Sequence, residues 1–347
     1  MDERLPGIAA KLALVRKLPG RARSMGEETH RFRLGPPLPE SRIADFEREH
    51  GIRLPESYRG FLTTIGHAGA GPHHGLAPLD DWDHLVLGRI PPGHLAAPFP
   101  LSPTDPPDPD WHEVPGDDDA EPYPGLITLT GSGCSLYTAL VVSGPARGRV
   151  VNVCVELRPP DFCHDTDFLA WYERWLDETL DGMDTSGFDR SLPFDQPVLV
   201  SVLRDAPDPR RRYAAAWTLG RYPGPVPAVR SALRAAAVAD AAAEVREAAV
   251  IALGRRPDPA DEPALIRALS DAHAATRGVA LSVLSRRGTA WYARARALLA
   301  DPSPEVRHTA ARVLDDSGVL TEQDLAPLLA DPDRSVRSMA AWRLESL

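Results

Sequence analysis

The chain has 347 residues and 36 prolines, and 43% of its residues are hydrophobic and 25% charged, which suits globular protein with two domains that each bury a core. The N-terminal stretch has no apolar run of 18 residues, so we expect neither a signal peptide nor a membrane span. Cys134, Cys154 and Cys163 are odd in number and form no CxxC pair. They indicate neither a disulfide framework nor a zinc site, and they favour the reducing cytoplasm.

The net charge of −10 is unevenly distributed along the chain. Residues 1–190 contain 30 acidic and 18 basic residues, whereas residues 191–347 contain 19 and 21. The resulting −12 of the first part disfavours nucleic acid as its ligand, because phosphate contacts need the opposite sign. It favours a basic protein partner, since opposite charges raise the rate of encounter. The alternative is that the charge only keeps the protein dissolved.

Two helices are predicted near the start of the first part. Residues 39–51 carry apolar side chains on one helical face and end in Gly51, a common helix stop. Residues 52–66 carry apolar side chains at i, i+3, i+4 and i+7, the spacing of an amphipathic helix. The inward positions are Ile43, Phe46 and His50 in the first helix and Tyr58, Phe61, Leu62 and Ile65 in the second.

Strands and a further helix follow a proline-rich insert. Residues 91–125 are rich in proline and acid and predict no regular element. Residues 126–157 contain β-rich runs with a turn at 144–148, which predicts a hairpin and one more strand. Residues 165–180 predict a helix whose aromatic stripe is typical of a core. Residues 181–196 have the composition of a linker.

The last part contains five copies of one pattern, spaced by 34, 31, 30 and 30 residues. Each copy ends in a leucine, with an alanine four residues earlier and an apolar residue three earlier, which form one helical stripe. A second apolar segment lies upstream, and Asp-containing turns between the two can cap the next helix. The pattern predicts about five stacked helix pairs over residues 197–347. The final leucines are Leu219, Leu253, Leu284, Leu314 and Leu344.

Four segments of the first part resemble, in their order and spacing, the SUKH superfamily. They are IADFEREHGIRLPESYRGFLTTIGHAG (43–69), LAPLDDWDHL (76–85), GSGCSLYTALVVSGPARGRVV (131–151) and FLAWYERWLD (168–177). The resemblance covers about residues 38–180 and implies an α+β domain over residues 1–180, with helices packed on a mainly antiparallel sheet. Many bacterial members are immunity proteins that bind and neutralise toxins, often nucleases. The resemblance therefore implies a binding role without catalytic residues, although the insert and the attached repeats depart from the family.

The repeats resemble the HEAT-repeat family in its short bacterial form. Its mark is an Asp in the turn and an Arg six residues on, as in DPSPEVRHTAARVL (301–314) and DPDRSVRSMAAWRL (331–344). The first copy departs by one extra residue between Asp205 and Arg212. In the family this pair joins adjacent repeats, so the resemblance implies a structural role for the arginine column, and a phosphate-binding row is the alternative. The column consists of Arg212, Arg246, Arg277, Arg307 and Arg337.

Two features of the repeats, at Arg343 and at a pair of tryptophans, bear on binding. Arg343 stands where earlier copies have Val283 and Val313, which fits a polar cap at the end of the array. Trp217 and Trp342 share a column that also holds polar residues, so we expect that column to be partly exposed. These tryptophans are either partner-contact anchors or locally packed side chains.

The candidate binding set of the first part combines tryptophans with carboxylates. A desolvated tryptophan ringed by carboxylates suits a cationic protein surface. The alternative places Trp82 in the core and leaves the acids as a solvated rim. The set comprises Asp80, Asp81, Trp82, Asp83, Trp111, Asp117, Asp118 and Asp119.

Motifs that carry chemistry are missing from the sequence. It has no GxxxxGK[ST], GxGxxG, HExxH or GxSxG, so we expect no enzyme, no cofactor and no metal. Weaker alternatives are a metal cluster among the five histidines within residues 67–94 and a thiol nucleophile at Cys134.

The first functional hypothesis is an immunity-type or antitoxin-like protein that sequesters a basic protein partner, such as a bacterial nuclease toxin. It follows from the SUKH resemblance and the charge of −12. The alternative is an intracellular adaptor whose repeats hold one client and whose first domain holds another. An enzyme or a nucleic-acid binder built on the repeats is a third hypothesis, disfavoured because the repeat part carries a net charge of only +2.

Overall fold

In the computed structural model, the chain forms two compact units, Met1–Pro193 and Phe194–Leu347. The structure describes residues 2–18, 25–85, 90–104, 123–133, 135–154, 158–287 and 291–345. Across those residues, no helix combines the length and the apolar character that crossing a membrane requires.

The first unit combines helices with two antiparallel sheets. Its helices are α1 (Leu5–Val15), α2 (Met25–His30), α3 (Glu40–His50), α4 (Glu56–Thr64) and α5 (Phe168–Leu180). Strand β1 (Leu34–Gly35) pairs with β2 (His67–Gly69), and a second sheet has the order β3 (Leu126–Gly133), β4 (Leu136–Val141), β5 (Val150–Cys154) and β6 (Arg158–Phe162). The predicted hairpin is β4–β5, and the second sheet has one strand more than the sequence predicts.

The four-stranded sheet is covered on both faces. Side chains alternate across a strand, so neighbouring residues enter different cores. Leu140 and Val150 pack into the core that contains the helices, whereas Ala139 and Val151 pack against Phe99 on the other face. The irregular segment 90–104 therefore acts as the second cover of the sheet.

The turn of the β4–β5 hairpin is fixed by a close approach to that segment. Gly144 has φ +112°, and a Cβ there would lie 2.3 Å from the carbonyl oxygen of Phe99. The Phe99 amide donates to the Ser143 carbonyl at 3.0 Å. Glycine is needed at this position because both the backbone angle and the space exclude a side chain.

Helix α5 supplies the centre of the first core, as the aromatic stripe predicts. Its Phe168, Trp171, Tyr172, Trp175 and Leu176 are fully buried. The helix begins at Asp167, whose carboxylate accepts the Ala170 amide at 2.9 Å as an N-cap.

Residues 181–193, most of the predicted linker, belong to the first unit. Phe188 is fully buried, and the guanidinium carbon of Arg174 lies 3.9 Å from the centre of its ring. Arg174 also donates to Asp165 at 2.9 and 2.6 Å, to Glu178 at 2.9 Å and to Ser191 Oγ at 2.8 Å. This buried network fastens the segment to α5, so the boundary between the units falls at Pro193.

The described residues of the second unit form five helix pairs. The first helices of the pairs, here the A helices, are α6 (Gln196–Asp205), α8 (Pro227–Ala239), α10 (Glu262–Ala268), α12 (Tyr292–Leu298) and α14 (Glu322–Leu325), the last continued by a 3₁₀ turn over Ala326–Ala330. The second helices, here the B helices, are α7 (Pro209–Leu219), α9 (Ala243–Arg255), α11 (Ala274–Leu284), α13 (Pro304–Asp316) and α15 (Arg334–Leu344). Each B helix packs on its own A helix and on the neighbouring B helices.

The repeated columns form the core of this unit. The alanine four residues before each final leucine is buried in all five copies, and small side chains there let helices approach closely. The final leucine is buried in the first four copies and 38% exposed at Leu344. Stacking therefore buries each repeat's outer face under the next repeat, and the fifth outer face stays open among the described residues.

Candidate partner-binding surfaces

The acidic set of the first unit does not surround an exposed tryptophan. Trp82 is only 6% exposed, and its ring stacks on His94 and meets His50 edge to face. Asp80 and Asp81 are exposed, and Asp80 forms an ion pair with Arg42. Trp82 is thus a core side chain with acids on the solvated rim. Trp111, Asp117, Asp118 and Asp119 lie outside the described residues.

Four of the five histidines of residues 67–94 have separate structural contacts. His67 Nδ1 contacts the Pro36 carbonyl at 2.7 Å, His73 Nε2 contacts the Asp189 carboxylate, His84 stacks on Tyr137, and His94 stacks on Trp82. No group of three His, Cys, Asp or Glu side chains in the described ranges is placed to hold a metal ion.

The described cysteines are poorly suited to nucleophilic chemistry. Cys154 and Cys163 are free and buried. Burial, together with the nearby carboxylates of Asp189 and Asp165, holds the pKa of the Cys163 thiol well above its ordinary value. Cys134 lies outside the described residues.

An arginine–aspartate ladder joins the five repeats. The Nε and Nη2 atoms of each of the first four column arginines bind the turn aspartate of the next repeat, at 2.5–2.9 Å. The Nη1 atom binds carbonyl oxygens in the arginine's own turn, and each aspartate also accepts an amide two residues on. The four pairs are Arg212–Asp240, Arg246–Asp271, Arg277–Asp301 and Arg307–Asp331.

These contacts govern the protonation of the ladder carboxylates. For Asp271 and Asp331, the arginine hydrogen bonds are the largest cause of a pKa below the ordinary value. For Asp240 and Asp301, burial alone would raise the pKa, but the arginine and amide hydrogen bonds outweigh it and the pKa is lowered. The arginines are thereby committed to repeat stacking and are poorly placed to bind phosphate.

The two ends of the ladder differ from its middle. Ala206 occupies the first-repeat position that holds aspartate in the other four, six residues before the column arginine. At the other end, Arg337 donates through Nη1 to the carbonyls of Asp331 and Pro332 at 2.5 and 2.9 Å. In the part of the chain that the structure describes, no carboxylate pairs with Arg337. Its Nε and Nη2 atoms lie where the other arginines hold an aspartate.

The B helices present an accessible row beside this ladder. We define the B-helix row as the positions two and six residues before each final leucine, which are half-buried or exposed in all five repeats. The third repeat contributes only Gly278 and Ser282, so the middle of the row carries small side chains. The row consists of Tyr213, Trp217, Glu247, Ile251, Gly278, Ser282, His308, Arg312, Ser338 and Trp342.

Both ends of the B-helix row carry a tryptophan with an arginine. The Trp217 ring lies parallel to Tyr213 at 6.5 Å, and the Arg255 guanidinium lies 4.8 Å from the centre of the Trp217 ring. Trp342 is 64% exposed, and Arg343 lies 5.0 Å from its ring. Such aromatic and arginine groups dominate the binding energy of many protein interfaces. The sequence indicated the two tryptophans, but Arg255 belongs to the next repeat and only stacking brings it to Trp217.

Arg343 does not form the polar cap that the sequence predicts. Its guanidinium forms an ion pair with Asp315 of the preceding repeat. The outer face of the fifth pair instead exposes Leu329 by 39% and Leu344 by 38%.

Depressions beside the ladder offer little chemistry. One of about 380 Å³ is lined mainly by alanines with Arg212 and Asp240, and one of about 560 Å³ contains Arg246 and Asp271. The Arg212–Asp240 and Arg246–Asp271 pairs belong to the ladder, and the other charged groups that line the hollows are Arg204 in the first, and Arg267 in the second beside Asp240.

A family comparison supports the repeat part of the fold, because residues 196–285 match the family described as HEAT repeats. An X-ray structure of YibA from Escherichia coli is similar, with 21% identity over 45% of this chain and a TM-score of 0.39. The match spans 62% of the YibA chain, less than two thirds of its length. No SUKH family matches the first unit, and no curated protein matches this sequence. HEAT repeats are typical of scaffolds for protein–protein interaction.

Proposed function

We propose that the protein is a non-catalytic scaffold, an adaptor that binds a protein partner through the B-helix row. The observation that carries this proposal is the pair of tryptophans at the ends of the row, one of them 64% exposed. A large exposed aromatic side chain has a hydration cost that partner binding removes.

The charge of the row narrows the class of partner. Arg255 lies beside the Trp217 ring, and Arg343, which also pairs with Asp315, lies beside the Trp342 ring. Glu247 lies between these ends, and Arg312 pairs with Asp316. A partner segment with acidic ends and an apolar middle complements this pattern. This differs from the basic partner that the acidic first part predicts.

The absence of catalysis is part of the proposal. The ladder arginines and aspartates are engaged with each other, Cys163 has a raised pKa, and Arg174 is enclosed by its own carboxylates. Polar groups used in this way position helices, which supports a binding role for the protein.

Photo-crosslinking tests the B-helix row directly. A photoreactive amino acid replaces Trp217 or Trp342 in the full chain, and the matched control replaces Val198, an exposed residue of α6 that lies outside the row. We expect one partner to crosslink at both row positions and not at Val198. The purified partner should then bind the native chain and lose about tenfold or more in affinity with Trp217→Ala. Equal crosslinking at all three positions would contradict the proposal.

The immunity-type hypothesis makes a separate claim about the first unit. Its support is the SUKH resemblance, the charge of residues 1–190 and the exposed carboxylate of Asp81. It predicts that Asp81→Lys weakens a salt-sensitive complex with a basic toxin, whereas Trp217→Ala leaves that complex intact. The reverse outcome supports the adaptor. A cytoplasmic location, expected from the cysteines, is part of both hypotheses.

A further inference from the structure

The outer face of the fifth helix pair has the composition of an internal interface. Three positions that the next repeat covers in earlier copies are accessible here. Leu329 is 39% exposed, whereas the equivalent Leu299 is 8% exposed, and Leu344 contrasts in the same way with the fully buried Leu314. Ala341 is exposed, and its equivalents in the other four repeats are fully buried.

Arg337 adds a charged group to this apolar face. Its Nη1 atom makes the same two carbonyl contacts as the four paired arginines, so its guanidinium is held in the same way. The Nε–Nη2 edge is the edge that receives a carboxylate in every earlier repeat. Because two backbone contacts fix the group beforehand, little rotamer freedom remains to be lost on binding.

We propose that this face, comprising Leu329, Arg337, Ala341 and Leu344, is a docking surface for a protein that presents an aspartate in the turn before a helix. The four internal interfaces supply the template. In each, the aspartate binds the arginine fork and also accepts an amide of its own turn, and the residues equivalent to Ala341 and Leu344 are buried. The inference rests on the proposed scaffold function and adds a second surface with defined chemistry.

A second copy of this chain fits the face poorly. In a head-to-tail contact, the first repeat would have to supply the aspartate, but Ala206 occupies that position. The first repeat has no carboxylate to bind Arg337 of the fifth repeat, so the two ends of the array are not complementary to each other. A different protein with an aspartate turn is therefore the occupant to which the chemistry points.

A peptide of residues 318–345 serves as the probe, because it carries the aspartate turn of Asp331 and the α15 helix. Labelled peptide is titrated with the full chain and followed by fluorescence anisotropy. We expect saturable binding that weakens about tenfold or more when the peptide carries Asp331→Asn, a change that leaves the full chain untouched. Arg337→Gln in the full chain should weaken binding similarly, and the control Arg204→Gln, at an exposed position of α6 outside both surfaces, should not.

Several outcomes would overturn the inference. One is absence of binding up to the solubility limit, and another is equal binding of the native peptide and the peptide with Asp331→Asn. Dependence on Arg307 instead of Arg337 would show that the peptide displaces the native fifth pair. Self-association of the full chain that Arg337→Gln abolishes would make a second copy the occupant. If a partner crosslinks at Trp217 but the peptide does not bind, the binding role of the B-helix row is supported and the docking surface on the fifth helix pair is refuted.

Discussion

The Arg277–Asp301 pair of the ladder offers the sharpest test of how the repeats are held together. Asp301 accepts two hydrogen bonds from Arg277, at 2.8 and 2.6 Å, and the Ser303 amide at 2.9 Å. Asp301→Asn leaves the Arg277 charge in a site where its side chain is 11% exposed, without its carboxylate. Breaking a buried pair by removing one partner costs about 3–5 kcal/mol. That is a large share of the roughly 5–15 kcal/mol that stabilises a typical domain.

Hydrogen exchange resolves this loss helix by helix, which matters because a chain of two units need not unfold in one step. A loss of about 3 kcal/mol raises the open population of α11 and α13 more than a hundredfold. The matched control is Asp316→Asn, which breaks an ion pair with Arg312 whose two side chains are 50% and 60% exposed. We expect that control to cost about 0.5 kcal/mol or less.

A double variant separates pairing from packing. Replacing both Arg277 and Asp301 by leucine removes the pair without stranding a charge, so it should cost less than Asp301→Asn alone. Equal protection losses in Asp301→Asn and Asp316→Asn would refute the reasoning, because the ladder would then behave as surface charge.

Three further predictions concern the pH dependence of the ladder and two buried side chains of the first unit, Trp82 and Arg174. The ladder carboxylates have lowered pKa values in the folded state, so the stability they contribute is fully present above the unfolded pKa of about 4 and is lost as the pH falls through the folded pKa values. The urea midpoint of the second unit, measured from about pH 6 to pH 3, should therefore decline. The same measurement on Asp301→Asn should show a smaller decline. Trp82→Ala should lower the free energy of unfolding of the first unit by about 3–5 kcal/mol in denaturant titrations, whereas Asp81→Lys should change it by less than about 0.5 kcal/mol, and similar small effects would mean that Trp82 lies at the surface. Arg174→Gln should destabilise the first unit by about 3 kcal/mol in thermal unfolding and release residues 181–193 to proteolysis, and retained protection of that segment would contradict its anchoring role.

The sequence predicts those parts of the fold that repeat or alternate. The five helix pairs follow from a leucine and alanine pattern with a constant period, because each repeat solves the same packing problem. The aromatic stripe of α5 is likewise readable, since a helix with five large apolar side chains on one face must bury them.

Other features depend on contacts that local patterns do not encode. Strands β1 and β2 have two and three residues, too few to show alternation. The segment 181–193 has the composition of a linker, but Arg174 binds it through Ser191, and contacts distant in sequence, from Thr185 to Glu27 and from Asp189 to His73, also fasten it to the first unit. Trp82 stands among acids in sequence and is nevertheless buried, because its neighbours along the chain point to solvent while it points to the core.

Contacts in the fold also weaken the prediction of a basic partner from the net charge of residues 1–190. Among the described residues of the first unit, four basic side chains each bind two carboxylates, so about a third of the net charge of −12 is held in these networks, of which the Arg174 network is buried. They are Arg4 with Asp2 and Asp167, Lys11 with Glu173 and Asp177, Arg59 with Glu40 and Glu47, and Arg174 with Asp165 and Glu178. The repeat unit has the opposite arrangement, with one carboxylate for each ladder arginine until Arg337. The repeat unit is nearly neutral, but it holds Arg337 in place without a carboxylate partner among the described residues, whereas eight carboxylates of the first unit are already paired. The search for a partner should therefore begin at the repeats.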